Sequence, residues 1–215
     1  MSGDYCRLEP LDAARHAAPL IAAYHAGDDA PSWTYLAYGP FASAAAYSGW
    51  IRENARGGDP LFYAIVERRT DRPLGVAGYL RIQPADGTLE IGHIHYADAL
   101  KQTRAATEAI VLMMKHAFEL GYRRVEWKCD ALNAASRRAA ERLGFVFEGV
   151  FRQATTYKQR NRDTAWYSVI DTEWPRLNAC FQAWLDPANF DADGHQRRKL
   201  STLTQRPDVQ TGTGE

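Results

Sequence analysis

Two rhythms of apolar positions divide the chain. Short runs that alternate, or stay apolar for a few residues, read as strands. These are residues 5–9, "LFYAIVER" from Leu61, "LGVAGYLRI" from Leu74, "GTLEIGHIHY" from Gly87, "RRVEWKC" from Arg123 and "FVFEGVFRQ" from Phe145. "TTYKQRNRDTAWYSVID" reads as a hairpin around "QRNRD", whose charges suit a solvated turn. The second rhythm has helical spacing. Asp12 caps a helix through Tyr24, with Leu11, Ala14, Ala18, Ile21 and Tyr24 or His25 on one face. Ser43 opens "AAAYSGWIREN", which "GGDP" ends. A long apolar helix runs from Arg104 to Leu120 and stops at Gly121. Asn133 caps "AASRRAAERL", ended by Gly144, and a last helix begins near Pro175. Its Trp174, Leu177, Phe181, Trp184 and Leu185 form a stripe suited to the core or to a dimer contact.

The element order is helices, a strand meander, then strand–helix–strand–helix–strand–hairpin, which predicts an α/β fold with a mixed sheet. No composition break divides residues 1–185, so one domain is expected there. Residues 186–215 are polar, rich in charge, Thr and Gly, and end "TGTGE"; a disordered tail is expected.

Composition narrows the function. Apolar residues make up 46% of the 215, enough for a real core. Lys plus Arg and Asp plus Glu number 26 each, so the formal net charge is zero and no bulk electrostatic grip on nucleic acid is expected. No apolar run reaches the roughly 18 residues of a membrane span. "MSGDYCRLEP" has neither a basic nor an apolar leader region. Cys6, Cys129 and Cys180 are far apart, with no CxxC, which suits reduced thiols and no metal site. The expectation is a cytoplasmic protein, monomer or homodimer, without a membrane or nucleic-acid partner.

Two helix starts carry unusual chemistry. In "KQTRAATEA", Lys101, Gln102, Thr103 and Arg104 crowd the point where a strand turns into a helix. Unpaired N–H groups and the positive end of the macrodipole lie there, so the site suits a phosphate; Lys101 and Arg104 add cations, Thr103 and Thr107 hydroxyls. An ordinary solvated helix start is the other reading. In "NAASRRAAERL", Asn133, Ser136, Ala140 and Leu143 share one face. Asn133 and Ser136 therefore point inward, where each needs a partner, as a simple cap and a satisfied hydroxyl or as ligand contacts.

From Thr88 to Gln153 the chain resembles the acyl-CoA-binding half of the GNAT superfamily of N-acetyltransferases, closest to the RimJ/RimL-like branch. The pieces that carry the likeness are "EIG" at 90–92, "ATEA" at 106–109, "N..S" at 133–136 and "LGF..EG" at 143–149. The resemblance implies a single-domain fold with a mixed, mostly antiparallel central sheet flanked by helices, here with an added C-terminal helix. It implies an acetyl-CoA-dependent N-acetyltransferase that moves an acetyl group to a primary amine by direct attack on the thioester, with CoA as product. A non-catalytic CoA-binding regulatory module is the alternative. It further implies that the turn Lys101, Gln102, Thr103, Arg104, Ala105, Ala106, leading into Thr107, holds the pyrophosphate through backbone amides. Asn133 would then contact the pantetheine arm and Ser136 the thioester sulfur. One departure stands out: the family turn has the form Arg/Gln-x-x-Gly-x-Gly/Ala, and its central glycine is Arg104 here.

Direct attack needs a neutral amine, a polarised carbonyl and a stabilised leaving thiolate. An alkyl amine of pKa about 10.4 is protonated at pH 7, so a base must act, often through water. Glu90, His93 and Asp130 are candidates. Backbone N–H groups near Ile94 and His95 would polarise the carbonyl. Ser136, and after it Tyr157, would support the thiolate. Cys129 reads as a strand-packing thiol rather than an acyl carrier. The loop "SWTYLAYGPF" offers Trp33, Tyr35, Tyr38 and Phe41 as an aromatic lid for the acceptor, a small-molecule amine or a protein N-terminus, unless its aromatics anchor it to the core. Trp127 and Lys128 alternate faces of one strand, so only one of them is expected in the cleft.

Overall fold

The computed structural model describes residues 1–27 and 30–206. Seven strands form one sheet: β1 (Cys6–Pro10), β2 (Leu61–Glu67), β3 (Arg72–Gln83), β4 (Thr88–Tyr96), β5 (Arg124–Asp130), β6 (Val146–Tyr157) and β7 (Arg160–Ile170). Their order is β1-β2-β3-β4-β5-β7-β6, and β4–β5 is the one parallel pair among antiparallel ones. Helices α1 (Ala13–Tyr24) and α2 (Ala44–Asn54) cover one face; α3 (Arg104–Glu119), α4 (Ala134–Arg142) and α5 (Trp174–Leu185) cover the other. This is the mixed, mostly antiparallel sheet flanked by helices that the sequence predicts.

Helices α1 to α4 each start where a short polar side chain can hold a free N–H of the first turn. Asp12 accepts from Arg15, Ser43 from Ala46, Thr103 from Ala106 and Asn133 from Ser136. Helices α3 and α4 stop just before Gly121 and Gly144, at φ 89 and 83. The buried face of α1 differs from the expected one. His16, Ala17, Leu20, Ile21 and Tyr24 face the core, while Ala14 and Ala18 are exposed. A methyl group contributes little to the choice of face, so the larger side chains set it.

A buried carboxylate ties the first strand to α3. Glu108 accepts N–H bonds from Asp4, Tyr5 and Cys6 at 2.8, 2.8 and 2.7 Å. Three donors converging on one acid replace the water lost on burial. A Cβ on Gly3 would stand 2.4 Å from this carboxyl carbon, so the close approach requires glycine.

The ordered chain runs past 185. Residues 186–206, read from sequence as a disordered tail, fold back and end in a short helix, α6 (Leu200–Thr204). Leu200 is buried, the Thr204 hydroxyl donates to the Arg142 carbonyl, and Asn189 donates to the carbonyls of Trp184 and Arg198. Scattered anchors of this kind leave no periodic signature. The remainder of that expectation, residues 207–215, lies outside the described residues.

Candidate active site

Between two parallel strands the backbone can part, and here it does. Pairing of β4 with β5 covers Thr88, Leu89 and Glu90 against Arg124, Val125 and Glu126, and ends there. On its other side β4 carries two residues, His93 and Ile94, opposite Ala77 of β3, between the pairs Val76↔His95 and Gly78↔Gly92. This is a β-bulge, and His93 takes the left-handed conformation at φ 52. The bulge bends β4 away from β5 and opens a cleft of about 260 Å³ through the sheet. Because the gap passes from one face to the other, Trp127 and Lys128 both line it, contrary to the expectation of one or the other.

On the α4 side the cleft meets a small polar cluster. The indole N–H of Trp127 donates to Ser136 Oγ at 2.9 Å. Asn133 Oδ1 is used by the Ser136 N–H at 3.0 Å, while both side chains line the cleft. Asn133 is thus a cap and a cleft residue at once. Burial raises the Cys129 thiol above its usual range, so it is not a thiolate nucleophile at neutral pH.

On the opposite face the cleft is charged. Glu90, 2% exposed, receives Arg81 Nε at 2.8 Å and Arg81 Nη2 at 3.1 Å, with Lys128 Nζ at 3.3 Å. Lys128 also pairs with Glu126 at 2.6 Å. Asp130 accepts from the Tyr157 hydroxyl at 2.7 Å and the Leu132 N–H at 2.8 Å. Burial, and then this bond to Asp130, push the Tyr157 phenol up to about 12. Its O–H is committed to donating to Asp130, and Tyr157 does not line the cleft. His93 lines the cleft with the Tyr38 hydroxyl 3.2 Å from Nδ1; burial, with Arg81 nearby, brings its pKa down to about 4.

The aromatic loop divides in two. Trp33, expected on a substrate lid, is 1% exposed with its ring centroid 3.7 Å from that of His95. Phe41 packs among Trp33, Tyr47 and Trp50. Neither reaches the cleft, because their apolar area is better buried under α1 and α2. Tyr35 does line it and donates to the Leu132 carbonyl at 3.1 Å. The His95 side chain is buried too, its Nε2 2.7 Å from Ser32 Oγ, so only its backbone is available to a cofactor.

The start of α3 lies outside the enclosed cleft, at the end of β4. Gln102 has φ 60, and Thr103 Oγ1 takes the Ala106 N–H, leaving those of Arg104 and Ala105 without an intrahelical acceptor. The Arg104 side chain turns away and lies over the Tyr5 and Phe190 rings, 4.7 and 4.4 Å from their centroids. Lys101 pairs with Asp98. The Thr107 hydroxyl accepts from Arg142 Nη2 at 2.6 Å, and among the described residues no carboxylate lies within 4.0 Å of that guanidinium. The turn therefore presents backbone N–H groups with a cation beside them, and the departure at Arg104 does not block it. These features suit an anion.

Arg81, read only as part of a strand, and Arg162, read as part of a solvated turn but placed in β7, both line the cleft. The alternation Arg124, Glu126, Lys128 along "RVEWK" was the available signal for a charged strand face. A larger, more open groove of about 440 Å³ runs between the β1–β2 edge and α3. Its Lys115, His116 and Glu119 do not converge on one point, and Lys115 pairs with Glu119 in its own helix. The chemistry collects in the smaller cleft.

Comparison with known proteins agrees with this geometry. Residues 6–146 match the Acetyltransferase (GNAT) domain family. A GCN5-related N-acetyltransferase from Brucella melitensis is 45% identical, with a TM-score of 0.92 over 94% of this chain and 92% of that one. A probable acetyltransferase (GNAT family) from Chromobacterium violaceum is 47% identical, with a TM-score of 0.76 over 81% and 87%. The ribosomal-protein-serine acetyltransferase of Escherichia coli (strain K12) is 31% identical over 108 residues, 49% of this chain and 59% of that protein.

Proposed function

The chain belongs to the GNAT acetyltransferase family, and from that premise we propose that it moves an acetyl group from acetyl-CoA to a primary amine by direct attack. The observation that carries the proposal is the parting of β4 and β5 at the His93 bulge. One cleft thereby joins Asn133 and Ser136 on one face of the sheet to Glu90 and Asp130 on the other. A donor can enter from the first face and an amine from the second.

Bound acetyl-CoA supplies an acyl group activated as a thioester. The Arg104 and Ala105 N–H groups, with the Arg142 guanidinium, would hold its phosphates. Asn133 Nδ2 would bond the pantetheine arm. The β4 backbone at Ile94 and His95 would donate to the carbonyl oxygen as charge grows there. Glu90 would take the amine's proton through water; His93, whose pKa burial brings down to about 4, shapes the wall beside it. The amine nitrogen bonds to the acyl carbon, the carbon–sulfur bond breaks, and the Ser136 O–H donates to the sulfur as it leaves. Its acceptor is a small-molecule amine or a protein N-terminus. The three cysteines outside any disulfide agree with a reducing compartment, and no helix among the described residues is long and apolar enough to cross a membrane.

The test is thiol release from acetyl-CoA across a panel of amines and peptides. Steady release that requires the amine supports transfer. Tight CoA binding with no release from any acceptor supports the regulatory-module reading instead.

A further inference from the structure

The acceptor half of the cleft holds three cations, and their partners differ. Arg81 is bound twice by Glu90, and Lys128 lies between Glu126 and Glu90. Arg162 lines the same cleft, yet among the described residues no carboxylate lies within 4.0 Å of it. Its one hydrogen bond runs from Nε to Thr164 Oγ1 at 3.1 Å, and its guanidinium sits 6.0 Å from the Tyr157 ring centroid. The two terminal nitrogens of the fork have no protein acceptor among the described residues.

The register places this fork on the acceptor face. Asp130 pairs with Thr164, and Lys128 with Trp166, so Arg162, two residues further along β7, points to the same side as both. The opposite face at this level holds Cys129 and Ser136, where the sulfur would leave. Ala165 pairs with Cys129, and Arg162 is three residues beyond it, about 10 Å along the strand. Neither acid of the cleft lies within 4.0 Å of it: Glu90 pairs with Arg81 and Lys128, and Asp130 accepts from Tyr157 and the Leu132 N–H. A half-buried guanidinium with an open planar fork matches a carboxylate bidentately.

We propose that the amine acceptor carries a carboxylate, set several bonds from the amine, and that Arg162 binds it. The proposal rests on the acetyl-transfer reading and narrows its substrate. Two sources share this chemistry: an ω-amino acid, and a peptide N-terminus whose second residue is acidic.

The experiment uses the full chain, acetyl-CoA and matched acceptor pairs. 4-Aminobutanoate is set against its amide, and a peptide beginning Ser-Asp against one beginning Ser-Asn. A preference of tenfold or more in kcat/KM for the acidic member of either pair is expected, and the pair that shows it identifies the source. In Arg162→Gln that ratio should collapse toward one through KM for the acceptor, with KM for acetyl-CoA held, and Arg162→Lys should restore part of it. Equal rates within both pairs, or a preference that survives in Arg162→Gln, overturns the assignment. Turnover of other amines with neither pair accepted also overturns it while leaving acetyl transfer intact. No turnover with any amine overturns both.

Discussion

Ser136 and Asn133 sit side by side, yet their substitutions should separate. Ser136 Oγ accepts from Trp127, so its own hydrogen is free to turn toward a departing sulfur. Ser136→Ala should lower kcat on the order of ten- to hundredfold with little change in KM for acetyl-CoA. It should also cost about 1–3 kcal/mol of stability, because the buried indole N–H loses its acceptor. Asn133 has two jobs on two atoms. Its Oδ1 caps α4, and its Nδ2 is the donor offered to the pantetheine arm. Asn133→Asp keeps the cap and removes the donor, so KM for acetyl-CoA should rise while the melting temperature holds. Asn133→Ala should raise the same KM and also cost about 1 kcal/mol through the lost cap. A KM equal to the parent's in both variants would take Asn133 out of the donor site. Steady-state kinetics and thermal melts on the same preparations read all three.

At the scale of elements, the segment after α5 braces the start of α3. Phe190 covers Arg104, and the Thr204 hydroxyl holds the Arg142 carbonyl. Ending the chain at Leu185 should therefore weaken acetyl-CoA binding and lower the melting temperature. Exposing the Leu200 site alone forfeits about 1.5–3 kcal/mol, and with the lost bonds the drop should be on the order of 5–10 °C. Ending it at Arg206 should change neither, and an unchanged KM after removal of 186–215 would sink the bracing role. This brace was invisible in the sequence because Phe190, Leu200 and Thr204 are single anchors in a polar stretch. The helices and strands were legible because their caps, glycine stops and apolar periods are local signals: Asp12, Ser43 and Asn133 do locally what their chemistry allows. Which side chains line the cleft was legible where a motif lies on one element, as with Asn133 and Ser136. It was not where it depends on a register. Arg81 reaches Glu90 only through a β3–β4 shift, and Arg162 reaches the cleft only because β4 and β5 part. Trp33 lies in the core instead of the cleft, and an aromatic loop reads alike in sequence whether it covers a ligand or anchors in a core.

For the whole molecule, acid is the condition that should undo the fold, and the histidines set the upper part of that window. Burial lowers the pKa of His16, whose Nδ1 accepts the Asp12 N–H at 2.9 Å and whose Nε2 faces Glu9 at 3.3 Å. Burial likewise brings His93 down to about 4. An unfolded histidine titrates near pKa 6.5, so between these values the unfolded chain binds more protons than the native one, and stability rises with pH. The contribution is complete above about pH 6.5 and is lost as pH falls toward 4. Glu9, Glu126 and Glu148 sit below the usual carboxylate range beside Arg7, Lys128 and Arg124. They add a loss of the same sign lower still, as pH falls through the native values. Urea unfolding at pH 7.0, 6.0 and 5.0 should therefore show stability falling by on the order of 1–2 kcal/mol from His93, with His16 adding a loss of the same sign. His93→Gln should flatten that slope, although it sits at the bulge and will itself lose stability at pH 7; the slope, not the intercept, carries the test. The same titration separates the bases in catalysis. If Glu90 takes the proton, the acidic limb of kcat/KM should persist in His93→Gln. If that limb vanishes in the variant, His93 is the base despite its low pKa, and Glu90 serves only to hold Arg81 and Lys128.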